Sequence, residues 1–170
     1  MVSDKMAKAL NAQLNFELYS AYVYLAMSAH ADNIGLKGFA NWFNAQYQEE
    51  MMHATKFFNY IMDRSVVELE SIEKPRKEYR DALEMFEETL SHEQEVTARI
   101  NELASLAIDE KDHATNTFLQ WFINEQVEEE STVKEILDKL KLAGSTGPGL
   151  FMINSELNTR TYTPPADAQA

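Results

Sequence analysis

Four glutamates stand where this chain should bury hydrocarbon. Glu17, Glu50, Glu93 and Glu129 each fall on the apolar stripe of a long predicted helix, and His53 lies one turn beyond Glu50. Helical spacing puts Glu17 among Leu10, Leu14, Ala21 and Tyr24, and Glu50 with His53 among Phe43, Gln46, Phe57 and Ile61. Glu93 lies among Phe86, Leu90, Val96 and Ile100, and Glu129 among Phe122, Gln126, Val133 and Ile136. No Lys or Arg shares these positions. A buried, unpaired carboxylate costs several kcal/mol even after relaxation, so four together approach the whole stability of a domain, on the order of 10 kcal/mol. The acids must be protonated, hydrated or matched by cations. Two divalent ions carry the charge that cancels four carboxylates, so a metal site is the reading the residues favour.

Glu50-Met51-Met52-His53 is an E-x-x-H segment. Three residues turn a helix by about 300°, so both side chains reach one ion from adjacent turns. Di-iron carboxylate bundles use one Glu from each of two helices and Glu-x-x-His from the other two. Here only the second helix has the full motif, and the fourth offers Gln126 and Glu129 at that spacing. One ion would take Glu17 and His53, the other oxygen ligands alone, with Glu50 between them as the bridge. Carboxylates with one imidazole suit Fe(II), Mn(II) or Zn(II). An asymmetric pair with open positions can bind O2 and pass it electrons. Glu49, Glu125 and Glu128 form a further layer of acids, able to hold another ion or simply to face solvent. Tyr24, two turns past Glu17, could hydrogen-bond a ligand, donate an electron or pack in the core. Trp42 and Trp121 read as core or interface, Met51-Met52 as core filler, and His30, His92 and His113 as surface residues.

The elements that must position these groups follow from turn signals. The chain has 170 residues, 45% of them hydrophobic, with only 5 Gly and 4 Pro, which suggests one domain of long helices. The first helix runs from about Ser3 or Asp4 to Ala31 and stops at Asn33-Ile34-Gly35. The second runs from about Leu36 to Arg64. Asp81 with Glu84 opens the third as a capping box, and it ends near Asp109. Asp112 caps the fourth, which stops at Gly144. Gly147-Pro148-Gly149 leads into one short helix over about 147–157, and 158–170 reads as an extended tail. A helix of about 28 residues is roughly 42 Å long. The connection after the second helix, about 16 residues at about 3.3 Å each, is long enough to run the length of the bundle. Helices two and three would then be parallel. The expectation is an all-α four-helix bundle over about 4–143, with one long crossover and a single domain over 1–170.

Composition excludes several classes. A net charge of −13, from 28 acids and 15 bases, argues against nucleic acid or anionic membrane as partner. With no cysteine, disulfides, thiolate zinc sites and iron–sulfur clusters are excluded. No signal-like apolar core and no run of 18 apolar residues occurs, so a cytoplasmic location is the default.

The sequence resembles a non-haem ferritin of the bacterial and archaeal kind. The resemblance spans nearly the whole chain and is carried by 15–22 (NFELYSAY), 35–39 (GLKGF), 49–54 (EEMMHA) and 124–130 (NEQVEEE), with Tyr162-Thr163-Pro164-Pro165 behind them. It implies a ferritin-like fold and a ferroxidase centre, with Glu17, Glu50 and His53 at the first iron and Glu50, Glu93 and Glu129 at the second, beside Gln126. It implies a third iron at Glu49, Glu125, Glu128 and Glu129, and Tyr24 next to the centre. The implied activity is Fe(II) oxidation by O2 or peroxide, with ferric mineral stored in a shell of 24 subunits. Two departures stand out. Asp63-Arg64-Ser65-Val66-Val67 replaces a Gly-Gly pair plus one further residue. Met51 stands where bacterioferritins ligate haem, but Glu129 stands where they carry a second histidine, which argues against haem. The competing readings are a di-iron peroxidase of the rubrerythrin kind, which would normally bring a cysteine-rich segment, and a non-catalytic helical interaction protein.

Overall fold

The computed structural model describes residues 1–144 and 146–164. Of the expected tail, 158–164 is irregular chain following a helix, and 165–170 lies outside the described residues. Among the described residues five helices follow in order: α1 (Asp4–Asn33), α2 (Lys37–Arg64), α3 (Ala82–Asp109), α4 (His113–Ala143) and α5 (Gly147–Leu157).

Each boundary has a local cause. The Ser3 hydroxyl accepts from Met6 N at 3.0 Å and caps α1. Gly35 takes φ 82° in the turn between α1 and α2, where a residue without Cβ is at ease. Asp81 caps α3 by accepting from Glu84 N at 2.9 Å. The capping box is shifted by one residue, because Glu84 Oε2 accepts from Arg80 N at 2.5 Å rather than from Asp81 N. Asp112 accepts from Thr115 N at 3.1 Å at the start of α4, and Gly144, at φ 77°, ends that helix.

α2 begins without a side-chain cap of its own. Asn154 of α5 supplies one, its Oδ1 accepting from Gly38 N at 2.8 Å. The approach is so close that a Cβ on Gly38 would lie 1.6 Å from the Asn154 carbonyl oxygen, so no larger residue fits.

Long-range contacts fix the topology. Val2 N reaches Arg64 O, and α1 and α2 form an antiparallel hairpin. The crossover leaves that end held by two asparagines. Asn11 and Asn15 pair their amides with the backbone of Val66, Glu68 and Glu70, as a neighbouring strand would. It arrives at the other end, where Tyr79 packs on His30. There Phe86, early in α3, meets Phe39 and Trp42, early in α2. At the opposite end Arg64, closing α2, pairs with Asp112, which opens α4. α2 and α3 are therefore parallel, as the loop length requires.

The core is split. One apolar cluster includes Met27, Phe39, Trp42, Phe86, Leu140 and Ile153 and receives α5. The other includes Met6, Leu10, Phe57, Ile61, Leu103 and Phe122. Between them lies a layer of buried polar side chains.

Candidate metal centre

That layer contains Glu17, Glu50, His53, Glu93, Gln126 and Glu129, one or two from each of the four long helices, none more than 6% exposed. The helical period put them there: each continues an apolar stripe whose other members fill the clusters above and below.

On one side, Glu17, Glu50 and His53 each offer a ligand atom, all within 4.8 Å of one another. His53 Nδ1 lies 3.4 Å from Glu50 Oε2. Its ring meets Trp121 and Phe122 edge-on, at 5.5 and 5.9 Å between centroids. Gln13 donates to Glu17 Oε1 at 2.8 Å. Three buried atoms on this side have no hydrogen-bond partner: Glu17 Oε2, Glu50 Oε2 and His53 Nε2. Buried polar atoms are almost always paired, so three together in a set of metal-binding side chains fit a site built to hold a cation.

The other side is internally bonded. Tyr24 donates its hydroxyl hydrogen bond to Glu93 Oε1, and Gln126 Nε2 donates to Glu93 Oε2 at 3.1 Å. Gln46 Nε2 donates to Glu129 Oε2 at 2.8 Å and to Glu50 Oε1 at 3.3 Å. Glu93 accordingly stays out of both metal-sized groups, held by its two donors. The second such group is His53, Glu125 and Glu129, so in this arrangement His53 rather than Glu50 is the residue the two groups share.

Burial sets the protonation of the layer. It pushes Glu17 up to about 8, helped by the charge of Glu50, and Glu93 to about 8, again with Glu50 adding to it. Glu50 and Glu129 are raised for the same first reason, with Glu129 and Glu93 respectively as the next contributors. Burial likewise drives the Tyr24 phenol well above its ordinary value. Near neutral pH the layer carries protons that divalent ions would replace.

The outer acids are divided. Glu125 approaches His53 and Glu129. Glu49 is partly exposed and forms an ion pair with Arg160 from beyond α5. Glu128 is exposed on α4. Three expectations need correction. His92 is not a surface residue: its ring stacks on Phe16, stands edge-on to Tyr24, and is held down at about 4 by burial. Since the Ser20 hydroxyl donates to Phe16 O, His92 Nε2 is the donor in its 2.7 Å bond to Ser20. His30 is also partly buried, against Tyr79, whereas His113 is exposed. Met51 is exposed rather than core, because it faces away from the stripe that buries Glu50 and His53. Gln13 and Arg160 drew no attention in the sequence. Gln13 has a readable signal, one turn before Glu17 on the same face; Arg160 has none.

Four long helices, one crossover and a central layer of glutamates with one histidine define a carboxylate bundle of the ferritin-like class. The family description "Ferritin-like domain" matches residues 7–143. A bacterial non-heme ferritin of Staphylococcus aureus (strain MRSA252) is 40% identical over 163 residues, spanning 95% of this chain and 98% of its own length. One of Escherichia coli O157:H7 is 42% identical over 160 residues, spanning 94% and 97%. Among solved structures, an engineered closed form of the Archaeoglobus fulgidus ferritin gives a TM-score of 0.94 at 47% identity, covering 96% of this chain and all of that one. The open-pore ferritin of the same archaeon gives 0.93 at 47%, covering 95% and 99%. The chain belongs to the ferritin family, and its function is iron storage. Membership brings homo-oligomeric assembly and iron binding, and the carboxylate and histidine cluster is compatible with iron oxidation at a di-iron site. No helix among the described residues is long and apolar enough to cross a membrane.

Proposed function

We propose that each subunit oxidises Fe(II), with O2 or hydrogen peroxide as acceptor, and passes the ferric product to a mineral stored inside a shell of 24 subunits in the cytoplasm. Iron is the substrate and cargo. One Fe(II) is taken by Glu17, Glu50 and His53, the other by Glu50, Glu93 and Glu129 with Gln126 beside them. Glu49, Glu125, Glu128 and Glu129 take a third ion on its way out. Each Fe(II) gives up one electron, and two electrons with two protons convert one O2 to hydrogen peroxide, or one hydrogen peroxide to two waters. Ions entering the layer release protons from its raised carboxylates, which puts protons beside the acceptor that consumes them.

The observation that carries this reading is the trio of unpartnered atoms on Glu17, Glu50 and His53 in a layer that holds four buried glutamates. A structural polar layer would satisfy itself, as the Glu93 side does. Tyr24, hydrogen-bonded to Glu93, would orient that ligand and donate an electron. Aerobic loading with Fe(II), followed by particle sizing, O2 uptake and an iron count per particle, tests the proposal. The expected result is a large particle retaining far more iron atoms than it has subunits. A particle retaining none, with no O2 uptake above that of free Fe(II), contradicts it.

A further inference from the structure

No Lys or Arg shares the stripe positions of the glutamates, yet the fold brings a guanidinium close to them from the far end of the chain. Arg160 lies three residues past the end of α5. Its backbone is fixed, because Asn41 Nδ2 donates to Arg160 O at 2.9 Å and to Leu157 O at 3.2 Å. Its guanidinium lies 4.4 Å over the Trp42 ring. One nitrogen, Nη1, donates to Gln46 Oε1 at 3.0 Å and to Trp42 O at 3.4 Å, and the other, Nη2, holds Glu49. Gln46 turns its opposite end to Glu129 and Glu50. Arg160 and Glu129 are thus bound to the two ends of one amide, with Glu49 beside them. The pair is only partly buried, at 22% and 23% exposure, so neither partner is locked away from solvent.

We propose that Arg160 is a displaceable counter-cation: it occupies Glu49, and a metal ion moving outward from the buried pair past Glu129 must displace it to be held there. The proposal rests on the metal reading of the buried layer. Its physical basis is that a guanidinium and a divalent ion held by one carboxylate repel each other at close range, so the ion binds better once the guanidinium has left. A partly exposed Arg–Glu pair is weak enough to be broken by an ion with twice its charge, yet strong enough to lower that ion's affinity. Residues 158–160, which carry Arg160, would shift when the outer position fills.

The test is an oxygen-free Co(II) titration of the assembled protein, read by calorimetry and by the visible absorption of bound cobalt. In Arg160→Gln, ions beyond the first two should bind up to about fivefold more tightly, while the first two change much less. Arg160→Lys keeps the charge without the planar fork, and should lie between Arg160→Gln and the parent protein. Glu49→Gln combined with Arg160→Gln should abolish the gain. Unchanged or weaker binding of the later ions in Arg160→Gln overturns the proposal, as does a gain that survives loss of Glu49. If Arg160→Gln weakens every ion and lowers the melting temperature together, Arg160 is a structural tie, and the proposal falls. Failure of the parent protein to bind even two ions would sink the metal reading itself.

Discussion

The two sides of the buried layer differ in how they treat their own polar atoms. Around Glu93 and Glu129, Tyr24, Gln126 and Gln46 meet the carboxylates with donors. Around Glu17, Glu50 and His53, three atoms have no hydrogen-bond partner. Both sides are buried, but the first places three donor side chains on its carboxylates and the second leaves three atoms unpaired. A side that satisfies itself gains rigidity but must break hydrogen bonds to take an ion. A side left unsatisfied stores the desolvation cost of each bare atom, about 1–3 kcal/mol, and recovers it on binding. The first ion should therefore enter at Glu17, Glu50 and His53, and the second should bind more weakly, at Glu93 and Glu129.

The strongest way to break this comparison is to remove the unsatisfied side. His53→Ala or Glu17→Ala should slow Fe(II) oxidation about 100-fold or more, since losing even the outer partners of metal ligands costs 10–100-fold. Particle size should not change, because both residues lie inside the bundle. Stopped-flow absorbance and light scattering check both halves, and unchanged rates in both variants would remove the assignment. Tyr24→Phe sharpens the comparison from the other side by freeing Glu93. The metal-free protein should lose about 1–3 kcal/mol, and the second Co(II) should bind more tightly by about that energy, minus relaxation. Denaturant melts with and without Co(II) measure the two effects.

Acidity gives a third prediction. Glu17 and Glu93 sit near 8 when folded and near 4.5 when unfolded. Between those values the folded state holds protons that the unfolded state has released, so metal-free stability falls as pH rises through that window. Below it both states are protonated and the penalty is absent. Melting temperatures of the metal-free protein should decline from about pH 5 to pH 8, and saturating Co(II) should flatten the decline. Glu17→Gln should also make it shallower, and an equally steep slope in that variant would remove Glu17 as a cause. Gln13→Leu, which removes one donor from Glu17, should have the smallest effect, weakening the first ion by a few-fold at most.

Most of the frame was legible in the chain because its signals are local. Asp81, Asp112, Gly35 and Gly144 mark helix ends by what their own side chains or φ angles do. The layer was legible because a glutamate on an apolar stripe breaks a period that a reader can count. Much of what escaped depends on partners more than 70 residues away. His92 looked peripheral because it turns off the Glu93 face, but Ser20 and Phe16 of α1 cover it. Asn154 caps α2 from 116 residues downstream, and Arg160 reaches Glu49 across 111. No periodicity encodes such contacts. Glu49, Glu125 and Glu128 looked alike in sequence, but the fold gives them three different settings: an ion pair, a place near His53, and solvent.

The proposed function requires the buried layer to take two ions in unequal halves. Oxygen-free titration of the assembled, metal-free protein with Co(II), with ions and released protons counted per subunit, tests it most directly. Two ions per subunit, the first tighter than the second and abolished by His53→Ala, with protons released near pH 7, is the predicted result. Equal affinities would contradict the asymmetry, and no stoichiometric binding would contradict the site.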